Sequence, residues 1–175
     1  MKVLPWVITA LAVGSLAQAA VPVLQGSDLH LDAVATVGTG GNFYYRDVVL
    51  RRTADGSLRV ASAEPRPLVD VHSADTVLIA AAGLDTTVQA SVHVTGLTSV
   101  ACVSLEEPAV TRQDTSFYVL VAETVMPPGS VCASLLPSTP FDLSVPLDIA
   151  GLPAATYSVD VNGVVDTFTL ASPAP

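Results

Sequence analysis

The sequence predicts an all-β protein built as a sandwich, and three observations support this class. Apolar residues alternate with a period of two in several segments, and no stretch sustains a 3.6-residue period. Half of the 175 residues are hydrophobic and only 13% are charged, which is the reverse of a disordered composition. Short strand patterns also follow one another with turn residues between them, which is typical of sandwiches and barrels.

The clearest alternation lies in three segments of the C-terminal half. Each has the pattern of a strand with one buried face. The predicted core positions are Val88, Ala90, Val92 and Val94, then Phe117, Val119 and Val121, then Phe141, Leu143, Val145, Leu147 and Ile149. Pro146 lies on the polar side of the last segment. Because proline donates no ladder hydrogen bond, it predicts an edge strand or a bulge.

The last two strand patterns, between Ala155 and Leu170, are separated by Asn162-Gly163, the preferred pair for a type I′ hairpin turn. A two-residue turn would place Tyr157 opposite Phe168, an aromatic pair that fixes the register.

The same register places Asp166 opposite Val159, on the apolar side of the hairpin. A carboxylate there is costly unless it is paired. The sequence leaves two explanations open: Asp166 lies beyond the edge of the core, or the turn is longer than two residues.

The N-terminal half is also predicted to form strands, in the segments DLHLDAVATV, NFYYRDVVLRR and SLRVASA. Asp55-Gly56 predicts a hairpin between the last two, and the prolines of EPRP, residues 64–67, predict its end. We expect an N-terminal β segment over residues 20–73, a sandwich domain over 74–170 and a disordered tail over 171–175.

The first 19 residues have the three-part pattern of a secretory signal peptide: Met1-Lys2, an apolar run, and Ala17-Gln18-Ala19 before the cut. They predict an exported protein, periplasmic or extracellular, that begins at Ala20 and has no membrane span. That chain has six arginines, no lysine and sixteen acids, a net charge of −10. This charge argues against nucleic acid and against anionic membrane surfaces as partners.

Cys102 and Cys132 are the two cysteines of the chain. Two thiols usually pair in an oxidising compartment, so export favours a structural disulfide. A metal-binding or catalytic pair is the alternative, and it is disfavoured because no histidine lies close to them in sequence.

The segment PLDIAGLPAATYSVDVNGVVDTFTL resembles the ending of secreted bacterial β-sandwich modules that are often found on lipoproteins, where a GLPAGTYTV-VNG-FTL pattern is common. VHVTGLTSVACVSL and VCASLLPSTPFDLSVPLDI resemble the segments that carry their two cysteines. The resemblance covers residues 75–170 and implies an immunoglobulin-like sandwich, with no established reaction. Two departures are visible: Ala155 replaces the usual glycine, and no lipid-anchor cysteine is present.

No motif of catalysis or cofactor binding is recognisable, so we expect no enzyme, no cofactor and no metal site. His30 and His93 lie on the polar faces of strand patterns, and His72 lies between Asp70 and Asp75 without a known ligand spacing. Two aspartate pairs leave calcium binding open, although neither forms a calcium loop: Asp160 with Asp166, and Asp142 with Asp148.

One segment combines aromatic and basic residues, the types that are enriched at binding hot spots. It contains the predicted partner-binding residues Phe43, Tyr44, Tyr45, Arg46, Arg51 and Arg52. The alternative is that the aromatics alternate between core and surface and that the arginines are solvated.

Together these observations predict an exported, non-enzymatic structural or binding module of the cell envelope, with another envelope protein or a glycan as partner. The runner-up is an inhibitor of a secreted hydrolase that uses a rigid loop such as Met126 to Ser130. Glycan binding would predict exposed aromatics on one sheet face, and an inhibitor would predict a protruding loop. The oligomeric state is left open.

Overall fold

The computed structural model describes residues 22–38, 40–80, 88–132 and 138–174. The predicted signal peptide lies outside these residues. The described chain contains strands and no helix, and therefore no helix that could cross a membrane. The strands are β1 (Val23–Gln25), β2 (Asp28–Thr36), β3 (Phe43–Arg52), β4 (Leu58–Arg66), β5 (Asp70–Ala80), β6 (Val88–Leu97), β7 (Ala109–Gln113), β8 (Ser116–Leu120), β9 (Pro140–Leu147), β10 (Ala155–Val161) and β11 (Val164–Leu170).

Two sheets form the sandwich, and a third extends it. The sandwich sheets have the orders β11-β10-β8-β7 and β5-β6-β9, and one hydrophobic cluster contains buried residues from both. The third sheet is the antiparallel meander β1-β2-β3-β4. The predicted all-β class with a smaller N-terminal extension is confirmed, and the architecture is consistent with an immunoglobulin-like sandwich.

The predicted alternation produces the core of the sandwich. Val92 and Val94 of β6 and Val119 of β8 are fully buried; the neighbours of the two β6 valines are more exposed, whereas Leu120, next to Val119, is buried in a second cluster. Three aromatic rings of the β11-β10-β8-β7 sheet pack together in the core: Tyr157 and Phe168 stack at 5.3 Å between centroids, and Phe117 lies about 6 Å from each. Offset and tilted ring pairs at such distances stabilise a core beyond the area they bury.

The C-terminal hairpin has the predicted register. Val161 pairs with Val164 and Tyr157 with Phe168, across a two-residue turn. Asn162 and Gly163 both have positive φ, 49° and 98°, as a type I′ turn requires.

Strand β9 confirms the prediction drawn from Pro146, because it is an edge strand of its sheet. Pro146 lies opposite Ser91 of β6. On its other side β9 pairs with no described strand that would need the N–H that proline lacks.

Three predictions about boundaries need correction. The EPRP segment does not end the β3–β4 pair, because Glu64, Pro65 and Arg66 still pair with β3; β4 is an edge strand, where proline is tolerated. The expected division between residues 73 and 74 falls inside β5. The tail predicted as disordered is attached to the sandwich: the Ala174 N–H donates to the Leu152 carbonyl at 2.9 Å, and Ala174 is buried.

The N-terminal sheet rests on the sandwich through a second, smaller cluster. Tyr44 of β3 packs there with Leu120, the last residue of β8, and with Ala122, two residues beyond it. Partly buried apolar residues from both sides surround it, namely Ala35, Val37, Leu68 and Ala109.

Cys102 and Cys132 form a disulfide, with 5.7 Å between their Cα atoms, and the described residues contain no free cysteine. The predicted pairing is therefore the one observed, and the metal-binding alternative is set aside.

Candidate functional site

Strand β3 divides the predicted binding residues between two faces, because successive side chains point to opposite sides of a strand. Tyr44 faces the sandwich and is only 2% exposed, and its hydroxyl donates to the Glu107 carbonyl at 3.0 Å. Burial raises the pKa of this hydroxyl. Tyr44 therefore belongs to the contact between sheet and sandwich and offers no surface to a partner.

Arg46 joins the same contact. Its Nε lies 3.8 Å from Glu106 Oε2, and its Nη2 donates to Asp32 Oδ1 at 3.0 Å. Arg66 Nε donates to the other oxygen of Glu106 at 2.9 Å. One carboxylate of the sandwich thus holds two arginines of the N-terminal sheet, with the side chains of Glu106 and Arg66 only 13% and 14% exposed.

Sequence reasoning missed the role of Arg66 and Glu106. In the sequence, Glu106 is one of two adjacent acids and Arg66 lies within the EPRP segment, and neither position indicates a contact. Arg66 and Glu106 are 40 residues apart in the chain, so only the docking of the sheet on the sandwich brings them together.

Phe43 and Tyr45 point to the opposite side of β3, away from the sandwich. Their rings stack with centroids 6.2 Å apart and an interplanar angle of 29°. Phe43 is 47% exposed and Tyr45 is half-buried. The cross-strand neighbours of the pair are uncharged: Thr36, Val34 and Pro65.

Arg51 is paired on the surface rather than free for a partner. Its Nε and Nη2 donate to the two oxygens of Asp28, at 2.9 and 2.8 Å. These hydrogen bonds with Arg51 lower the pKa of Asp28. Arg52 is exposed at the end of the same strand. The basic segment expected from the sequence is thus largely neutralised by neighbouring carboxylates.

The side chain of Asn162 has a role that the sequence did not reveal. Its Nδ2 donates to the carbonyls of Val69, at 3.0 Å, and Val121, at 2.7 Å, and its Oδ1 accepts from the Val121 N–H at 3.1 Å. The turn of the C-terminal hairpin therefore binds two backbone segments that follow β4 and β8. Asparagine tolerates positive φ, so it suits both tasks.

Neither of the two explanations that the sequence left open for Asp166 applies. The turn has two residues and Asp166 is opposite Val159, half-buried, at the side of the sandwich where β11 approaches β5. Its Oδ2 accepts the backbone N–H of Thr76 at 2.6 Å. Burial raises its pKa, but hydrogen bonds from the backbone of Thr76 and Thr167 outweigh burial and lower it overall.

The histidines form no recognisable metal site. His93 Nε2 lies 2.6 Å from Asp142 Oδ1 and His72 Nε2 lies 3.5 Å from Asp70 Oδ2, and all four side chains are substantially exposed. No group of three metal-ligating side chains occurs among the described residues.

A cavity of about 310 Å³ lies beside the start of β5 and the end of β6. It is lined by Leu68, Val69, Asp70, Leu97, Thr98, Ser99 and Ser138. Asp70 is the titratable side chain of this lining. The nearby Glu123 is buried, and its carboxylate accepts the backbone N–H of Ser99 at 2.8 Å and the Ser99 hydroxyl. It therefore holds the segment that follows β6 in place.

The loop Met126 to Ser130 ends in a tight turn. The Ser130 N–H donates to the Pro127 carbonyl at 3.1 Å, and Gly129 has a φ of 82°. Val131 follows with 89% of its surface exposed, directly before the disulfide-bonded Cys132.

Comparison with known proteins matches part of this architecture to a family. The model of the ORF11 beta-sandwich domain matches residues 92–170, from within β6 to the end of β11. No curated protein and no solved structure matches the chain significantly. The family match leaves the N-terminal sheet uncovered, and it supports a β-sandwich module in the C-terminal half that is similar to the ORF11 beta-sandwich domain.

Proposed function

We propose that the protein is an exported, non-enzymatic binding module of the cell envelope, and that it binds a glycan through Phe43 and Tyr45. The stacked aromatic pair on the outward face of the N-terminal sheet is the observation that supports this function best. The two adjacent rings offer an apolar aromatic surface to the C–H faces of sugar rings. The hydroxyl of Tyr45 offers a polar group to the sugar hydroxyls, whereas Phe43 is apolar throughout.

The charges of the remaining residues support the same assignment. Tyr44, Arg46 and Arg66 are engaged inside the protein, and Arg51 is paired with Asp28. A neutral aromatic surface therefore remains, rather than a cationic one. Export is supported by the N-terminal pattern of the sequence and agrees with the disulfide.

The experiment is co-sedimentation of the purified protein with insoluble envelope glycan, peptidoglycan first. The test variant is Phe43→Ala with Tyr45→Ala, and the control is Val165→Ala, which removes an exposed apolar side chain of the sandwich. We expect binding by the native chain and the control and at least a tenfold loss in the test variant. Equal binding by all three would contradict the proposal. An envelope protein cross-linked only to the native chain would replace the glycan as partner.

A second candidate, inhibition of a secreted hydrolase, is favoured by the exposed loop beside the disulfide. Its test is inhibition of a panel of secreted proteases and glycosidases by the native chain and by a Met126→Ala, Val131→Gly variant. Loss of inhibition in that variant alone would support this candidate, and no inhibition by the native chain would eliminate it.

A further inference from the structure

An apolar row crosses all four strands of the N-terminal sheet. Leu24 pairs with Leu29, Leu29 with Leu50, and Leu50 with Val60. Directly paired residues of antiparallel strands lie on the same face, with Cβ atoms about 5 Å apart. The four side chains therefore form one continuous stripe across the sheet.

The same face continues beyond the row. Leu31 and the buried Val48 form the next apolar pair on one side, and on the other side Leu58 lies two residues from Val60 on β4, opposite Arg52. Leu24 is 71% exposed, Val60 65% and Leu58 52%. Clusters of this kind on one face differ from the scattered apolar residues of an ordinary surface.

The end of this face that carries the row has no second layer within the described residues, whereas the face is buried further along, at Val48 and Tyr44. Neither hydrophobic cluster contains Leu24, Leu29, Leu50 or Val60, because the sandwich contacts the other end of the sheet at Tyr44. A sheet with one apolar face is normally buried against another layer. The described chain thus leaves half of the N-terminal sheet without its layer.

The charge distribution supports a second copy of this chain as the missing layer. Residues 22–66 hold five arginines and five acids, whereas residues 67–175 hold one arginine and eleven acids. Two copies repel each other wherever their sandwiches approach. They can approach through the N-terminal sheets, which are neutral and present an apolar row that complements itself.

We propose that two copies of this chain pair face to face through the row Leu24–Leu29–Leu50–Val60. The pairing is an isologous interface, in which the same patch is used by both copies around a twofold axis. Each N-terminal sheet becomes the second layer of the other, and the acidic sandwiches stay at the two outer ends. This inference does not depend on glycan binding, which uses Phe43 and Tyr45 and not the row.

The test is the molecular mass in solution, measured by sedimentation velocity over a range of concentrations. The native chain is expected to sediment as two chains, and Leu24→Glu with Val60→Glu as one. Both replaced side chains are exposed, so the fold should tolerate the change; Val60→Thr, which keeps a β-branched residue on β4, is a milder variant expected to weaken pairing at least tenfold. Val165→Glu, on the exposed side of β11, should remain paired.

A native chain that stays monomeric up to about 1 mM would overturn the proposal, since even a weak dimer forms at that concentration. A dimer unchanged by both row variants would also overturn it. A native chain that is monomeric when pure, and that loses capture of another envelope component when the row is changed, would assign the face to that component instead.

Discussion

At the scale of single residues, Asn162 connects parts of the chain that the strand ladders leave apart. Its backbone supplies the positive φ of the turn, and its amide satisfies polar groups of Val69 and Val121 that lie between the sheets. Buried backbone groups without partners destabilise a fold, and this side chain bonds three backbone groups, of which the Val121 carbonyl also accepts the Val69 N–H.

Replacing Asn162 by Asp should separate these two tasks. Aspartate tolerates the same φ and keeps the acceptor for the Val121 N–H, but it loses the donor and turns a carboxylate toward two carbonyls. We expect the free energy of unfolding to fall by about 2 kcal/mol or more. Urea titration measures it, with Asn162→Gly as the comparison, which keeps the turn and removes the whole amide. An Asp variant as stable as the native chain would show that the three contacts contribute little.

Asp166 gives a pH-dependent prediction. Its pKa is lower in the folded state than in the unfolded chain, where it is about 3.9. Its contribution to stability is therefore fully present above pH 4 and is lost as the pH falls through the folded pKa. Asp166→Asn should cost about 1 kcal/mol at pH 7, because a charged acceptor is replaced by a neutral one at the Thr76 N–H, and the difference from the native chain should shrink below pH 4.

The measurement is thermal unfolding of both proteins between pH 2.5 and 7. Asp75→Asn is the matched control, since it removes the same charge from an exposed position of the neighbouring strand. If the native chain and Asp166→Asn differ by the same amount at pH 3 and pH 7, the carboxylate form does not stabilise the contact with β5.

At the scale of elements, the N-terminal sheet is attached to the sandwich by few side chains. Tyr44 supplies the apolar part of the contact, and Glu106 holds Arg46 and Arg66 at its rim. Removing one partner of an ion pair that is this little exposed lowers the stability more than removing one partner of a surface pair, because the remaining charge stays desolvated.

Glu106→Gln should therefore loosen the sheet without unfolding the sandwich. We expect a loss of about 1–2 kcal/mol, which lies between values for exposed and buried pairs. Hydrogen exchange should become faster in β3 and β4 and stay unchanged in β10 and β11. Glu64→Gln is the control, because Glu64 contacts the same Arg66 at 3.1 Å but is 60% exposed. Equal effects of the two substitutions would argue against Glu106 as the attachment point.

Local patterns in the sequence predicted the strands well and the contacts between them poorly. Alternation identified the buried faces of β6, β8 and β9, and Asn162-Gly163 fixed the register of the last hairpin, because these features depend on neighbours in the chain. The parallel pairing of β10 with β8 could not be read in the same way. It joins segments about 40 residues apart, and local spacing contains no information about such pairs.

The candidate site shows the same limit. Composition alone grouped six residues of β3 as one binding segment, but the pleat of the strand sends Tyr44 into the protein and Phe43 and Tyr45 outward. Asp166 looked misplaced because its partner is a backbone N–H of Thr76, 90 residues earlier. A carboxylate on an apolar face indicates that a partner exists, but only the tertiary structure identifies that partner.

At the scale of the whole molecule, the sandwich and the N-terminal sheet differ in how many buried apolar residues they contain. Every buried residue of the large cluster lies between Val69 and Ala174, so the sandwich contains its core and its disulfide. The N-terminal sheet has two buried apolar residues, Tyr44 and Val48, and Tyr44 is buried against the sandwich. Small segments with so little core do not usually fold alone.

We therefore expect residues 67–175 to fold as an isolated fragment and residues 22–66 to remain unfolded. The division lies at Pro67, ahead of β5, because Val69 and Val71 belong to the sandwich core and the Val69 carbonyl is bound by Asn162. A fragment of residues 74–175 lacks these residues and should be less stable by about 3 kcal/mol, the burial of two valines. Dispersion of amide resonances and cooperative thermal unfolding distinguish the three fragments. A fragment of residues 67–175 without a cooperative transition would show that the N-terminal sheet is an integral layer of the fold, and the contact through Tyr44 and Glu106 would then be a condition of folding rather than an attachment.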